Sequence, residues 1–348
     1  MSHVRRSVAT VVVAMSFVLG AGCSDADEAT TPPSAALPEA TREDVVAALT
    51  AGVIAPAFVA LADTTSELGV AIDALCSATG VATARADAQQ AWRRTQDAWM
   101  QTRAFRFGPA MELRSMSKID FPIDPSKIRT LLDGSEPIDT GSLLALGADQ
   151  RGLGGVEDVL FDDERAIDDR SCSYLVAATD GVLAAATRLA DAWATDPPTD
   201  TKQFVDDSVN GMIFALVDVA DQQLGRASGD VTGTQEFAEV DSGNARGALA
   251  DMASILASVV ALVEGDGGLG LANLVVVQSD ESAVRLLAEL AGARAAVDGL
   301  AAPLADTTDP APVSAACETV RVPLRTLRTE TASLLGVTLK LGDADGDS

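Results

Sequence analysis

The chain has 348 residues, of which 47% are apolar and only 4% aromatic, with a formal net charge of −26. That acidity argues against nucleic acid and against a polybasic contact with anionic lipid, because both need clustered Lys and Arg. Much of the apolar content is Ala, Leu and Val, so the expectation is an all-α protein, long enough for two domains.

Residues 1–22 read as an export signal. Arg5 and Arg6 form a charged start, and Val8 to Leu19 is an apolar run too short to span a bilayer. Leu19-Gly20-Ala21-Gly22-Cys23 resembles a bacterial lipoprotein processing site, with Cys23 as the lipid attachment point and the membrane as partner. Leu19 stands four residues before the cysteine where the usual pattern has three, and ordinary signal-peptide cleavage is the alternative. Residues 23–40, with Thr30-Thr31-Pro32-Pro33-Ser34, read as a flexible tether. The expected location is the bacterial cell envelope, facing the periplasm or the exterior. Cleavage before Cys23 also removes His3, the only histidine. A mature chain without imidazole excludes Ser-His-Asp and Cys-His nucleophiles and His-ligated zinc.

Thr41 is an N-cap for a helix with Val45, Leu49, Val53, Ile54, Phe58 and Leu61 on one stripe, kinked or broken at Pro56. A second helix is expected from about Thr64 to Ser77, with Cys76 inward, and a third from about Ala82 to Phe107. On the third, Ala88, Trp92, Gln96, Trp99 and Arg103 share one stripe at helical spacing. Arg103 either lies over the Trp99 ring or pairs with a buried acid. The segment from Ile119 to Ile128 holds Pro122 and Pro125 and reads as an ordered loop. There Asp120 and Asp124 are helix caps or, alternatively, oxygen ligands of a site.

Leu153, Val156, Glu157, Leu160 and Phe161 make an apolar helical stripe that carries one carboxylate. A carboxylate facing a core needs a cation, a metal or hydrogen-bond donors. Arg103 is the expected partner of Glu157. Cys172 to Trp193 is another helix, and Thr195 to Thr199 marks a boundary between an N-terminal helical domain, 41–195, and a C-terminal one, 196–348. Helices follow at about 204–225, 246–264, 280–301 and 312–335. Similar helix endings at Trp99 to Gly108 and Leu327 to Gly336 suggest a duplication. Cys76, Cys172 and Cys317 leave one disulfide and one free thiol, with three pairings open.

In order and spacing, several segments resemble the imelysin family of bacterial envelope proteins: Phe105-Arg106-Phe107-Gly108-Pro109, Ile119 to Asp124, Gly152 to Glu157, Cys172-Ser173-Tyr174-Leu175, Phe214 to Asp218, and Leu335 to Leu339. The resemblance implies two four-helix-bundle-like domains and a link to iron or haem uptake or to metallopeptidase activity. The family hallmark, Gly-x-His-x-x-Glu, aligns with Gly152 and Glu157, but Gly154 stands at the histidine position. The resulting expectation is a non-catalytic lipoprotein that binds a ligand or an envelope partner near Glu157, with Arg103, Asp120, Asp124 and Gly152 around it. No cofactor is expected; iron or another metal at Glu157 is the alternative. A divergent structural protein without a site at Glu157 and a metallopeptidase are the other readings.

Overall fold

A computed structural model describes residues 37–77, 81–237, 242–243 and 245–340. The export signal, Cys23 and most of the tether lie outside these residues. Among the described residues all regular structure is helical, as expected.

The first helix, α1 (Arg42–Ser77), is continuous where two helices were expected. Thr41 opens it with a capping box shared with Asp44. Pro56 cannot donate to the Gly52 carbonyl and would press on it in a regular helix. The chain absorbs this in one wide turn, Thr50–Ile54, which widens the helix without ending it. Helix α2 (Val81–Met100) follows and packs along α1. It ends earlier than expected. The Thr102 hydroxyl donates to the Trp99 carbonyl at 2.7 Å, and the chain tightens into a short 3-10 turn, Arg103–Phe105.

The short helices that come next include α3 (Met116–Ile119) and α4 (Pro125–Asp133). Helix α5 (Gly152–Leu160) carries the Glu157 stripe, and α6 (Asp169–Thr195) lies against α1. Cys76 and Cys172 form a disulfide between α1 and α6, which selects one of the three pairings; Cys76 is exposed rather than inward. Closing a loop of this length contributes stability of about 4 kcal/mol by restricting the unfolded chain. Cys317 is the buried free thiol, pushed up to about 11 chiefly by burial, and it donates to the Ala220 carbonyl.

The second half contributes α7 (Thr201–Val217), which runs into a wide turn at Asp218–Leu224, then α8 (Ala248–Glu264), α9 (Leu271–Val276), α10 (Asp280–Asp298) and α11 (Ala311–Thr326). The described residues from Leu37 onward belong to one compact unit. Helix α2 packs on α8, and the Arg103–Phe105 turn packs on both α7 and α8. The closeness of this seam is visible at Gly211, where a Cβ would collide with the Ala104 carbonyl. The Ala104 N–H donates across it to the Ser258 hydroxyl at 3.2 Å. The seam is where the candidate site lies.

Candidate functional site

Glycine sets the start of α5. Gly152 has φ +85, and a Cβ there would stand 2.6 Å from the Ile119 carbonyl oxygen, so both conformation and space demand glycine. Gly155 faces the buried Tyr174 hydroxyl, which donates to the Gln150 carbonyl at 3.0 Å. The Trp92 indole N–H donates to the Leu153 carbonyl at 3.0 Å. With this start held, and the Leu160 carbonyl at the other end accepting from Arg85 and Gln89, Glu157 faces inward as its stripe predicts and is only 8% exposed.

The partners of Glu157 and Arg103 differ from expectation. Glu157 accepts from the Ala245 backbone N–H at 2.8 Å. Arg103 instead pairs with Asp218: Nε lies 2.6 Å and Nη2 2.5 Å from Oδ2. The cause is the early stop of α2. A stripe continued in helical register would carry Arg103 toward α5, but the tight turn after Met100 carries it toward the start of the wide turn on α7.

Asp120 belongs to the same corner. It is the residue that ends α3, and its Oδ2 accepts from the Trp99 indole N–H at 3.1 Å. Asp120 keeps an accessible edge, yet protein surrounds it closely enough that burial pushes its carboxyl up from the ordinary value. Arg103, the Trp99 N–H and the Gly154 backbone pull it back down, while Asp218 pushes it further up. Asp124 is the cap that the sequence reading favoured. It accepts from the Ser126 N–H at 3.0 Å and the Ser126 hydroxyl at 2.6 Å at the start of α4. The Ser126 hydroxyl is the main cause holding its carboxyl below the usual range.

Gly154 packs closely against Ile123 and Asp120. A Cβ there would meet Asp120 Oδ1 at 3.7 Å and the Ile123 side chain at 3.2 Å. Beside it, the Arg106 guanidinium lies over the Trp99 ring, 5.7 Å from its centroid. Arg106 Nε and Nη2 are buried without a hydrogen-bond partner among the described residues, and so is Gln96 Oε1, one turn before Trp99 on α2. Buried donors and acceptors are nearly always satisfied, so these atoms mark places for a bound group or water.

Sequence reasoning missed three of these participants. Asp218 is in the Phe214 to Asp218 segment, but nothing local marks its carboxylate as the partner of a residue 115 positions away. Ala245 acts only through its backbone. Arg106 was read as part of a helix stop, though a cation three residues past Arg103, the last position of the expected stripe, was a usable signal.

The carboxylates do not fit a zinc site. Glu157 accepts from the Ala245 N–H, Asp218 from Arg103 and Asp120 from the Trp99 indole N–H. Among the described residues no three His, Cys, Asp or Glu side chains converge on one point, and zinc favours nitrogen and sulfur ligands.

The imelysin family model matches residues 54–329, well over half the chain. A search of curated proteins gives no sequence match. Among solved structures, an imelysin-like protein from Psychrobacter arcticum 273-4 superposes with a TM-score of 0.74 at 15% identity, covering 88% of this chain and 99% of that one. A provisionally named iron-regulated protein A precursor from Parabacteroides distasonis ATCC 8503 gives a TM-score of 0.67 at 16% identity, covering 84% and 96%. At these identities the likeness speaks for the fold, whereas the family model speaks for descent. The chain belongs to the imelysin family.

Proposed function

We propose that this protein is a non-catalytic, exported binding protein, with its ligand held at the corner between Trp99, Arg106, Asp120 and Gly154. The observation that carries this reading is a set of unmet polar atoms around Trp99: two N–H groups of Arg106, whose guanidinium lies over the ring, and the oxygen of Gln96 one turn earlier on α2. Hydrolysis has no equivalent support. The hallmark histidine position is Gly154, Glu157 is engaged by Ala245, and the only histidine in the chain is His3. Export and a lipid anchor on Cys23 rest on the sequence of residues 1–23. The iron-regulated name of one structural neighbour makes iron acquisition the context we propose for the ligand.

The test is a titration of haem and of ferric citrate into the wild type and Arg106→Gln, alongside digestion of denatured casein. Binding by the wild type that weakens at least roughly tenfold in Arg106→Gln, without casein cleavage, is expected. Casein cleavage by the wild type that Glu157→Gln abolishes would overturn the reading.

A further inference from the structure

On the far side of the Ile119–Asp120 corner four cations gather. Arg114 precedes α3, Lys118 lies on it, Arg188 lies on α6, and Arg151 immediately precedes Gly152. Packing brings them together. Helix α3 lies on α6, and Lys118 and Arg188 line one shallow hollow with Ser115. The close approach of Gly152 to the Ile119 carbonyl fixes Arg151 beside the same corner.

None of the four makes an ion pair among the described residues. Lys118 Nζ donates to the Leu113 carbonyl at 2.6 Å, Arg151 Nη1 donates to the Leu144 carbonyl at 2.5 Å, and Arg151 Nε is buried without a partner. The chain has 51 acidic residues for 25 Lys and Arg, so partners were abundant. Leaving four bases together without one is costly, since like charges repel at close range. Burial, then Arg188, Arg114 and Arg151, lower the Lys118 ammonium below its ordinary value. Arg114 also holds a left-handed backbone at φ +49, which a non-glycine residue adopts at a cost. Such strain collects at ligand sites.

We infer that Arg114, Lys118, Arg151 and Arg188 form a binding site for a phosphate-type oxyanion, either free or carried on a lipid headgroup. Guanidinium groups offer paired N–H donors that match phosphate oxygens, and the lysine adds a mobile point charge. The negative total charge conceals this patch, because the total says nothing about where the few bases lie.

The test titrates inorganic pyrophosphate into the wild-type protein and measures flotation with phosphatidylcholine vesicles with and without phosphatidylglycerol. Arg188→Gln and Lys118→Gln are compared with Arg294→Gln, a control on α10. Arg188 is exposed, so its replacement leaves the fold intact, which an unchanged unfolding midpoint checks. The expected result is binding to pyrophosphate or to the phosphatidylglycerol vesicles, weakened roughly tenfold by either site variant and unaffected by the control. The arm that binds identifies the source of the phosphate. Absence of binding in both arms, or binding equal in wild type and site variants, overturns the inference.

Discussion

Arg103 and Asp218 grip each other across the seam between the two halves of the chain, with Arg103 Nε 2.6 Å from Asp218 Oδ2. Their side chains are 13% and 16% exposed, so the pair is largely out of solvent. Removing one partner from such a pair strands the other charge, a penalty larger than the net value of the pair itself. Arg103→Gln is therefore expected to lower the unfolding free energy by about 3 kcal/mol. A double-mutant cycle with Asp218→Asn should return a coupling of at least about 1 kcal/mol. Urea unfolding of the four proteins measures both.

Glu157 behaves differently because its described partner is a backbone N–H. Glu157→Gln keeps an oxygen for the Ala245 N–H, and the expected loss is under about 1 kcal/mol. Glu157→Ala leaves that buried N–H unmet and is expected to cost about 1–3 kcal/mol. The ratio of the two effects, read from unfolding curves, separates a backbone-anchoring carboxylate from the half of an ion pair, for which both substitutions would be severe.

This contrast also shows what the residues announce locally and what they do not. The inward face of Glu157 follows from Leu153, Val156 and Leu160, three local positions, and all three are buried as read. The need for glycine at 152 is not local: it comes from φ +85 and from the Ile119 carbonyl, which would stand 2.6 Å from a Cβ. The partner of Arg103 does not follow. A 3.6-residue stripe extends only as far as the helix, and the Thr102 hydroxyl ends α2 before Arg103. The contacts Asp218 and Ala245 make with the first half are set by helix packing across the seam, which no local pattern encodes. The unbroken α1 was hidden for a related reason: proline marks a lost hydrogen bond, and a wide turn can absorb that loss.

Gly155 gives a steric prediction with its own rescue. A Cβ at this position would overlap the Tyr174 hydroxyl, while the ring carbon bearing it is 3.3 Å away. Gly155→Ala is expected to destabilise the fold by about 3 kcal/mol, as overpacking at a rigid contact does. In a Tyr174→Phe background the hydroxyl is gone, and most of that penalty should disappear. Equal penalties in both backgrounds would show that the Tyr174 hydroxyl is not their cause.

Asp120 gives a pH dependence. Burial raises its carboxyl above the ordinary 3.8 in the folded chain. A group that holds its proton more tightly when folded contributes stability that is fully present below the unfolded value and is lost as pH rises through the folded one. The stability of the wild type relative to Asp120→Asn should therefore fall as pH rises above 3.8 and level off beyond the folded value. Unfolding midpoints of both proteins across that range measure it; a difference that stays constant or rises contradicts the burial argument.

Under the proposed function the hallmark site, with Gly154 for histidine and Glu157 accepting from Ala245, binds through hydrogen bonds and paired charges and performs no metal-dependent hydrolysis. The most direct measurement is the zinc content of protein purified without chelator, compared between the wild type, Glu157→Gln and Gly154→His. The expected result is far less than one zinc per chain in the wild type, unchanged in Glu157→Gln, with any gain confined to Gly154→His. One zinc per chain in the wild type, lost in Glu157→Gln, would contradict it.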